Sequence, residues 1–225
     1  MKDSSGSAHY AASIYQMVLA AFMVGLTAVA AQIRFAIGPV PFTLQTSAVM
    51  LSGLILRPRY AFLAQALYLI LIALGLPIAS GLRGGLGVIV GYTGGYIVGF
   101  VLAAFIYSLL IEVYLRHRGA RFLAHLSGRD LAVLFLLALP PLFIIYILGF
   151  VVFTIYAIPG TGIYRWAEGI YEQVVGSKGT DPLFIVFFAS VLVFLPKDLV
   201  LACALMPPIA REISRILIRF GIHLR

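Results

Sequence analysis

Three observations predict an all-α integral membrane protein with six transmembrane helices and both termini in the cytoplasm. Hydrophobic residues make up 62% of the 225 residues and charged residues only 11%, with a mean hydropathy of +1.07. Soluble chains carry about 25% charge, so no water-soluble core could hide this much apolar surface. The apolar residues also gather into six runs near the length that crosses a bilayer. Finally, the basic residues are distributed unevenly between the two sets of connecting segments. The same composition excludes a disordered chain.

A hydrocarbon core about 30 Å thick needs roughly 20 helical residues at 1.5 Å each. The runs cover 11–33, 43–56, 59–75, 88–115, 131–157 and 183–206, and residues 1–225 read as one membrane-embedded domain. The first run is too long for the apolar core of a signal peptide and reads as a true helix. The second is short and follows Pro39 and Pro41, so an irregular approach is expected to complete its crossing.

Of the sixteen Lys and Arg residues, eleven fall on one side of these spans: Lys2, Arg57, Arg59, Arg116, Arg118, Arg121, Arg129, Arg211, Arg215, Arg219 and Arg225. Arg34, Arg83, Arg165, Lys178 and Lys197 fall on the other. The positive-inside rule makes the richer side cytoplasmic. The net charge of +8 therefore reads as topology and contact with anionic lipid, not as nucleic-acid binding. Residues Ala210–Arg225 carry Arg211, Arg215 and Arg219 opposite Ile213, Ile216, Leu217 and Phe220, the pattern of a basic amphipathic helix at the inner surface.

Four segments stand out against this background. Gly81–Tyr96 contains seven glycines in sixteen residues but no Gly-Lys-Ser/Thr, so it is no nucleotide loop. It reads either as irregular backbone close to a ligand, with Arg83 suited to a carboxylate, or as close helix packing through small residues. Gly38–Thr46 joins a proline-stiffened loop to Phe42, Thr43, Gln45 and Thr46. It could form a pocket wall, or Thr43 could cap a helix. Phe194–Leu201 places Asp198 deep in an apolar run, where a carboxylate costs about 2.5–3.5 kcal/mol and must face a partner or a ligand. Lys197 and Asp198, about 100° apart on a helix, are not expected to face one another directly. On the first span, Ala21, Gly25 and Ala28 form a stripe of small residues, with Thr27 and Ala31 beside it, fit for another helix to approach.

No metal-ligand spacing joins His9, His117, His125 and His223, and Cys203 has no second cysteine to pair with. An intramembrane enzyme using Asp198 and Lys197 would need a second carboxylate or histidine at membrane depth, and the sequence supplies none there. No catalytic residue, metal or cofactor is expected.

In order and spacing, GPVPFTLQT (38–46), GYTGGYIVGF (91–100), YILG (146–149) and FLPKDL (194–199) resemble the BioY family, the biotin-specific S components of energy-coupling-factor (ECF) transporters. The resemblance implies a six-helix protein of the plasma membrane, of the bacterial inner-membrane type, that binds biotin from outside and is not an enzyme. It also implies docking on a transmembrane coupling subunit driven by ATPase subunits, partly through Ala21, Gly25 and Ala28. Asp198 would hold the ureido end of biotin, with Thr43, Gln45 and Tyr96 lining the pocket. Two positions depart from the family pattern. Tyr92 replaces a proline, and Lys197 replaces a glycine while the family's downstream lysine is Leu201. The carboxylate role then passes to Lys197, expected to project toward the outer mouth, or to Arg83. The alternative is another vitamin-sized ligand.

Overall fold

The computed structural model describes residues 4–37, 40–119 and 123–220. Lys2, Gly38, Pro39, Arg121, His223 and Arg225 lie outside the described residues, as does the side chain of His9. Helix α1 (Ser4–Gln32) leads into a hairpin of β1 (Arg34–Ile37) and β2 (Val40–Thr43), then α2 (Gln45–Ile55) and α3 (Pro58–Ala73). A short α4 (Leu86–Val90) precedes the long α5 (Gly94–Arg118) and α6 (Gly128–Tyr156). Helix α7 (Gly162–Val175) leads to a broken run of α8 (Pro182–Phe187), α9 (Leu195–Asp198) and α10 (Met206–Arg219).

Among the described residues, four helical stretches are long and apolar enough to cross a membrane: Ser13–Gln32, Gly94–Arg118, Gly128–Tyr156 and Pro182–Arg219. The two runs read as spans over 43–56 and 59–75 become helices of 11 and 16 residues. At 1.5 Å per residue these reach only about 16 and 24 Å. Every residue of α2 is buried, and it packs against α1, α3, α5 and α10. Such a helix has protein, not lipid, on all sides. Its irregular approach is an antiparallel ribbon pairing Arg34 with Thr43 and Ala36 with Pro41. Both strands of an isolated ribbon are edges, where proline is tolerated.

The span expected over 88–115 begins instead at Gly94, after a break at residues 91–93. The break follows from close packing. A Cβ on Gly94 would sit 1.7 Å from the Ile89 carbonyl oxygen. One turn into α5, Cβ atoms at Gly95 and Gly99 would meet Leu148 O at 2.1 Å and Ile145 Cα at 2.9 Å. The glycines at 95 and 99 thus bring α5 and α6 together backbone to backbone, as small residues do between membrane helices. The segment before them supplies the irregular connection, with positive φ at Gly81, Leu82 and Gly85. The close-packing reading holds from Gly94 onward, and the backbone before it is irregular.

Polar ties secure the bundle at two levels. Gln65 on α3 donates to Ser52 Oγ on α2 at 3.0 Å and to Thr27 Oγ1 on α1 at 3.3 Å. Thr27 and Ala31 are fully buried, whereas Ala21 and Gly25 lie on the outer face of α1 and Ala28 is half-buried. At the other end of α5, Asp130 closes a capping box with Ser127 and accepts from Tyr114 and Arg118.

The basic amphipathic helix begins at Met206, earlier than expected, and continues the last apolar run. Its buried line is Pro207, Ala210 and Ser214, while Ile216 and Phe220 are exposed. Arg211 and Arg215 both pair with Glu212.

Candidate ligand-binding site

The hairpin, the start of α2, the loop after α3, and helices α5, α6 and α9 enclose a cleft of about 660 Å³, its open mouth included. Its walls are mostly apolar, contributed by Val40, Val88, Ile97, Phe100, Ile145 and Phe194. Phe42, packed behind the wall, stacks on Phe194 with ring centroids 4.3 Å apart and ties the hairpin to α9.

Asp198 sits at the buried end, only 4% exposed. One carboxylate oxygen accepts from Lys197 Nζ at 2.5 Å, the other from Tyr146 Oη at 2.7 Å. A carboxylate offers about four lone-pair positions, so further donors can still be received. The local backbone explains why the group is held here. Two π-helical stretches, Phe188–Leu192 and Leu199–Leu205, flank the four-residue α9, with Pro196 in its first turn. Such wide turns recur at functional sites because they re-aim side chains within a continuing helix.

Lys197 corrects the expectation drawn from helix geometry. Instead of projecting toward the mouth, its ammonium folds back onto the neighbouring Asp198 and also donates to the Thr43 carbonyl at 2.8 Å. Helical spacing governs Cβ directions, but a four-carbon stem reaches beyond them. Lys197 therefore bridges α9 to the hairpin.

The remaining expected residues all line the cleft. Thr43 ends β2 and is no cap; Leu44 holds the N-cap position of α2. The Thr43 hydroxyl donates to Gln45 Oε1 at 3.1 Å, and Gln45 Nε2 donates to Tyr68 Oη at 2.9 Å. Tyr68 in turn donates to the Ile78 carbonyl at 3.0 Å. This chain of bonds holds the loop after α3 against α2. Gln32, at the end of α1, clamps the same loop by donating to Ala79 O and accepting from Leu82 N, both at 3.1 Å. The Tyr96 ring forms a wall while its hydroxyl donates away, to Ser190 O in the first π stretch at 2.7 Å. Arg83 is exposed, and its Nε donates to Ser80 O at 3.0 Å.

Sequence reasoning missed two lining groups. Tyr146 stands in the YILG motif, but nothing in its position along the chain reveals that it meets Asp198. Ser80 was not singled out at all, although it lines the cleft and its buried hydroxyl has no hydrogen-bond partner among the described residues.

An apolar helical bundle around a small cleft, with one buried carboxylate and a few hydroxyl groups, defines a membrane protein of small-molecule-binding type. The BioY family model matches residues 2–219, and the chain belongs to that family. Over 94 residues it is 50% identical to the probable biotin transporter BioY of Pyrococcus horikoshii, covering 42% of this chain and 58% of that protein. The biotin transporter BioY of Thermotoga maritima is 46% identical over 97 residues, covering 43% of this chain and 57% of the relative. The matched stretches thus span less than two thirds of these relatives. The crystal structure of the S-component for biotin from an ECF-type ABC transporter superposes over 90% of this chain and 92% of its own, with a TM-score of 0.67. At 21% identity that likeness concerns the fold.

Proposed function

We propose that this chain is the biotin-binding S component of an ECF-type importer. The observation that carries this reading is the buried carboxylate of Asp198 in a mostly apolar cleft, in a chain of the BioY family. Biotin brings two ureido N–H donors, an apolar bicyclic body and a carboxylate tail. Asp198 accepts from the ureido group, Tyr96 and the aliphatic walls cover the rings, and Thr43 and Gln45 brace the hairpin over them. Recognition needs no bond cleavage, so the protein works as a binding subunit and not as an enzyme, without a cofactor of its own.

The same reading takes the chain as one domain with six crossings and cytoplasmic termini in the plasma membrane. The buried α2 together with its hairpin, and the short α3, would complete the second and third crossings. Backbone that is not helical is tolerated at that depth only inside protein or along a cavity, and the hairpin lines one. Energy for uphill uptake comes from ATPase partners through a transmembrane coupling subunit.

The outer face of α1 suits that coupling subunit, because a Cβ on Gly25 would meet nothing within 4 Å. Purified protein should bind biotin in calorimetry, and mass spectrometry of the protein as isolated should detect it. Gly25→Leu should retain that binding while coupled uptake in reconstituted vesicles falls at least about tenfold. The added side chain would hold a docking helix off without reaching the cleft. Absence of biotin binding by the parent protein overturns the functional reading. Loss of folding and binding in Gly25→Leu would instead make the stripe internal packing.

A further inference from the structure

We infer, on the reading that the cleft holds biotin, that Arg83 at the open mouth meets the ligand's carboxyl end and that Lys197 does not. The protein then also accepts biotin extended through an amide at that carbon, such as biotinyl-lysine.

The two ends of the cleft differ in burial and in how their charges are already used. At the inner end Asp198 is 4% exposed, and the Lys197 side chain is 19% exposed. The ammonium lies against Asp198 at 2.5 Å and the Thr43 carbonyl at 2.8 Å. Removing an ammonium from a buried pair leaves an uncompensated charge, so Lys197 is bound to its neighbour more firmly than to a mobile tail. Its work is to neutralise and position Asp198.

Arg83 has the opposite character. It is exposed, it lines the cleft, and among the described residues no acidic side chain pairs with it. Its Nε is spent on Ser80 O, and among the described residues its terminal nitrogens have no hydrogen-bond partner and remain as donors. A ligand whose ureido head lies at Asp198 directs its tail toward this rim.

Exposure decides the consequence. A carboxylate held by a buried lysine would gain a charge-assisted bond whose loss costs about ten- to a hundredfold in affinity. A carboxylate meeting an exposed arginine gains at most about fivefold, because water screens and competes for both partners. Replacing the acid by an amide is then cheap, and whatever follows the amide projects into water.

The test is calorimetry on the purified full chain with biotin, its methylamide and biotinyl-lysine. For the parent protein we expect both amides to bind within about tenfold of biotin. Arg83→Gln should weaken biotin at most about fivefold and leave it level with the amides. Lys197→Met should weaken all three ligands by the same factor. Amides binding a hundredfold or more below biotin would overturn the proposal while leaving the biotin reading intact, as would a selective loss of the acid in Lys197→Met. If Lys197→Met fails to fold, the parent ligand series and Arg83→Gln still decide. If the parent binds no biotin, the functional reading falls and this proposal with it.

Discussion

Asp198→Asn weakens biotin binding by about ten- to a hundredfold in calorimetry, the largest loss expected from any single isosteric change in the cleft. The carboxylate is the group that a pair of ureido donors requires, and a hydrogen bond to a charged group contributes about 1.5–3 kcal/mol. At about 1.4 kcal/mol per decade, this is one to two decades in affinity. The amide keeps the shape of the side chain and can still accept from Tyr146, so the fold should persist. What it removes is the negative charge, and with it the counter-charge of Lys197 at 2.5 Å. A modest fall in thermal stability should therefore accompany the loss of binding. Unchanged affinity in a folded Asp198→Asn protein would remove Asp198 from ligand recognition.

Gly95→Ala should lower the melting temperature of the purified protein by about 2–12 °C, from a cost of about 1–3 kcal/mol. The added methyl group would lie 2.1 Å from Leu148 O and 2.8 Å from Leu148 C, both main-chain atoms of α6. A side chain could turn aside, but a helix backbone cannot, so α5 and α6 must part. Gly99 lies one turn further along the same seam against Ile145, and Gly149 on α6 lies against the Tyr96 ring. Separation would therefore also disturb Tyr96 and Tyr146 in the cleft, and biotin affinity should fall with stability. Gly87→Ala serves as the control, since its Cβ meets nothing within 4 Å. A Gly95→Ala protein that melts with its parent would show that this seam has slack.

The long helices were legible because their signal is local. A long run of apolar residues with few charges declares its medium whatever it packs against, and α1, α5, α6 and the last run lie near their expected positions. The hairpin was not legible. Arg34–Ile37 and Val40–Thr43 are short, and two prolines nearby suggest only that helix is absent; pairing of the two strands is a relation between residues. The short α2 could be found but not understood. Its apolar run would suit lipid as well as protein, and only the helices around it make it the centre of the bundle.

The candidate site divides in the same way. Asp198 was visible in the sequence because a carboxylate inside an apolar run is costly enough to demand a reason. The glycines of Gly81–Tyr96 were visible as an excess, with two explanations that composition could not separate. By itself, then, the sequence determined the medium, the main helices, the family motifs and the buried carboxylate of the candidate site, all properties carried by single segments. The tertiary structure alone decided that Tyr146 reaches Asp198 from 52 residues away, and that Lys197 turns inward across to the hairpin carbonyl of Thr43. It also decided that the hydroxyl of Tyr96 is spent on Ser190. Each of these is a bond of about 3 Å or less between distant parts of the chain, and no periodicity along one segment encodes where another segment will lie.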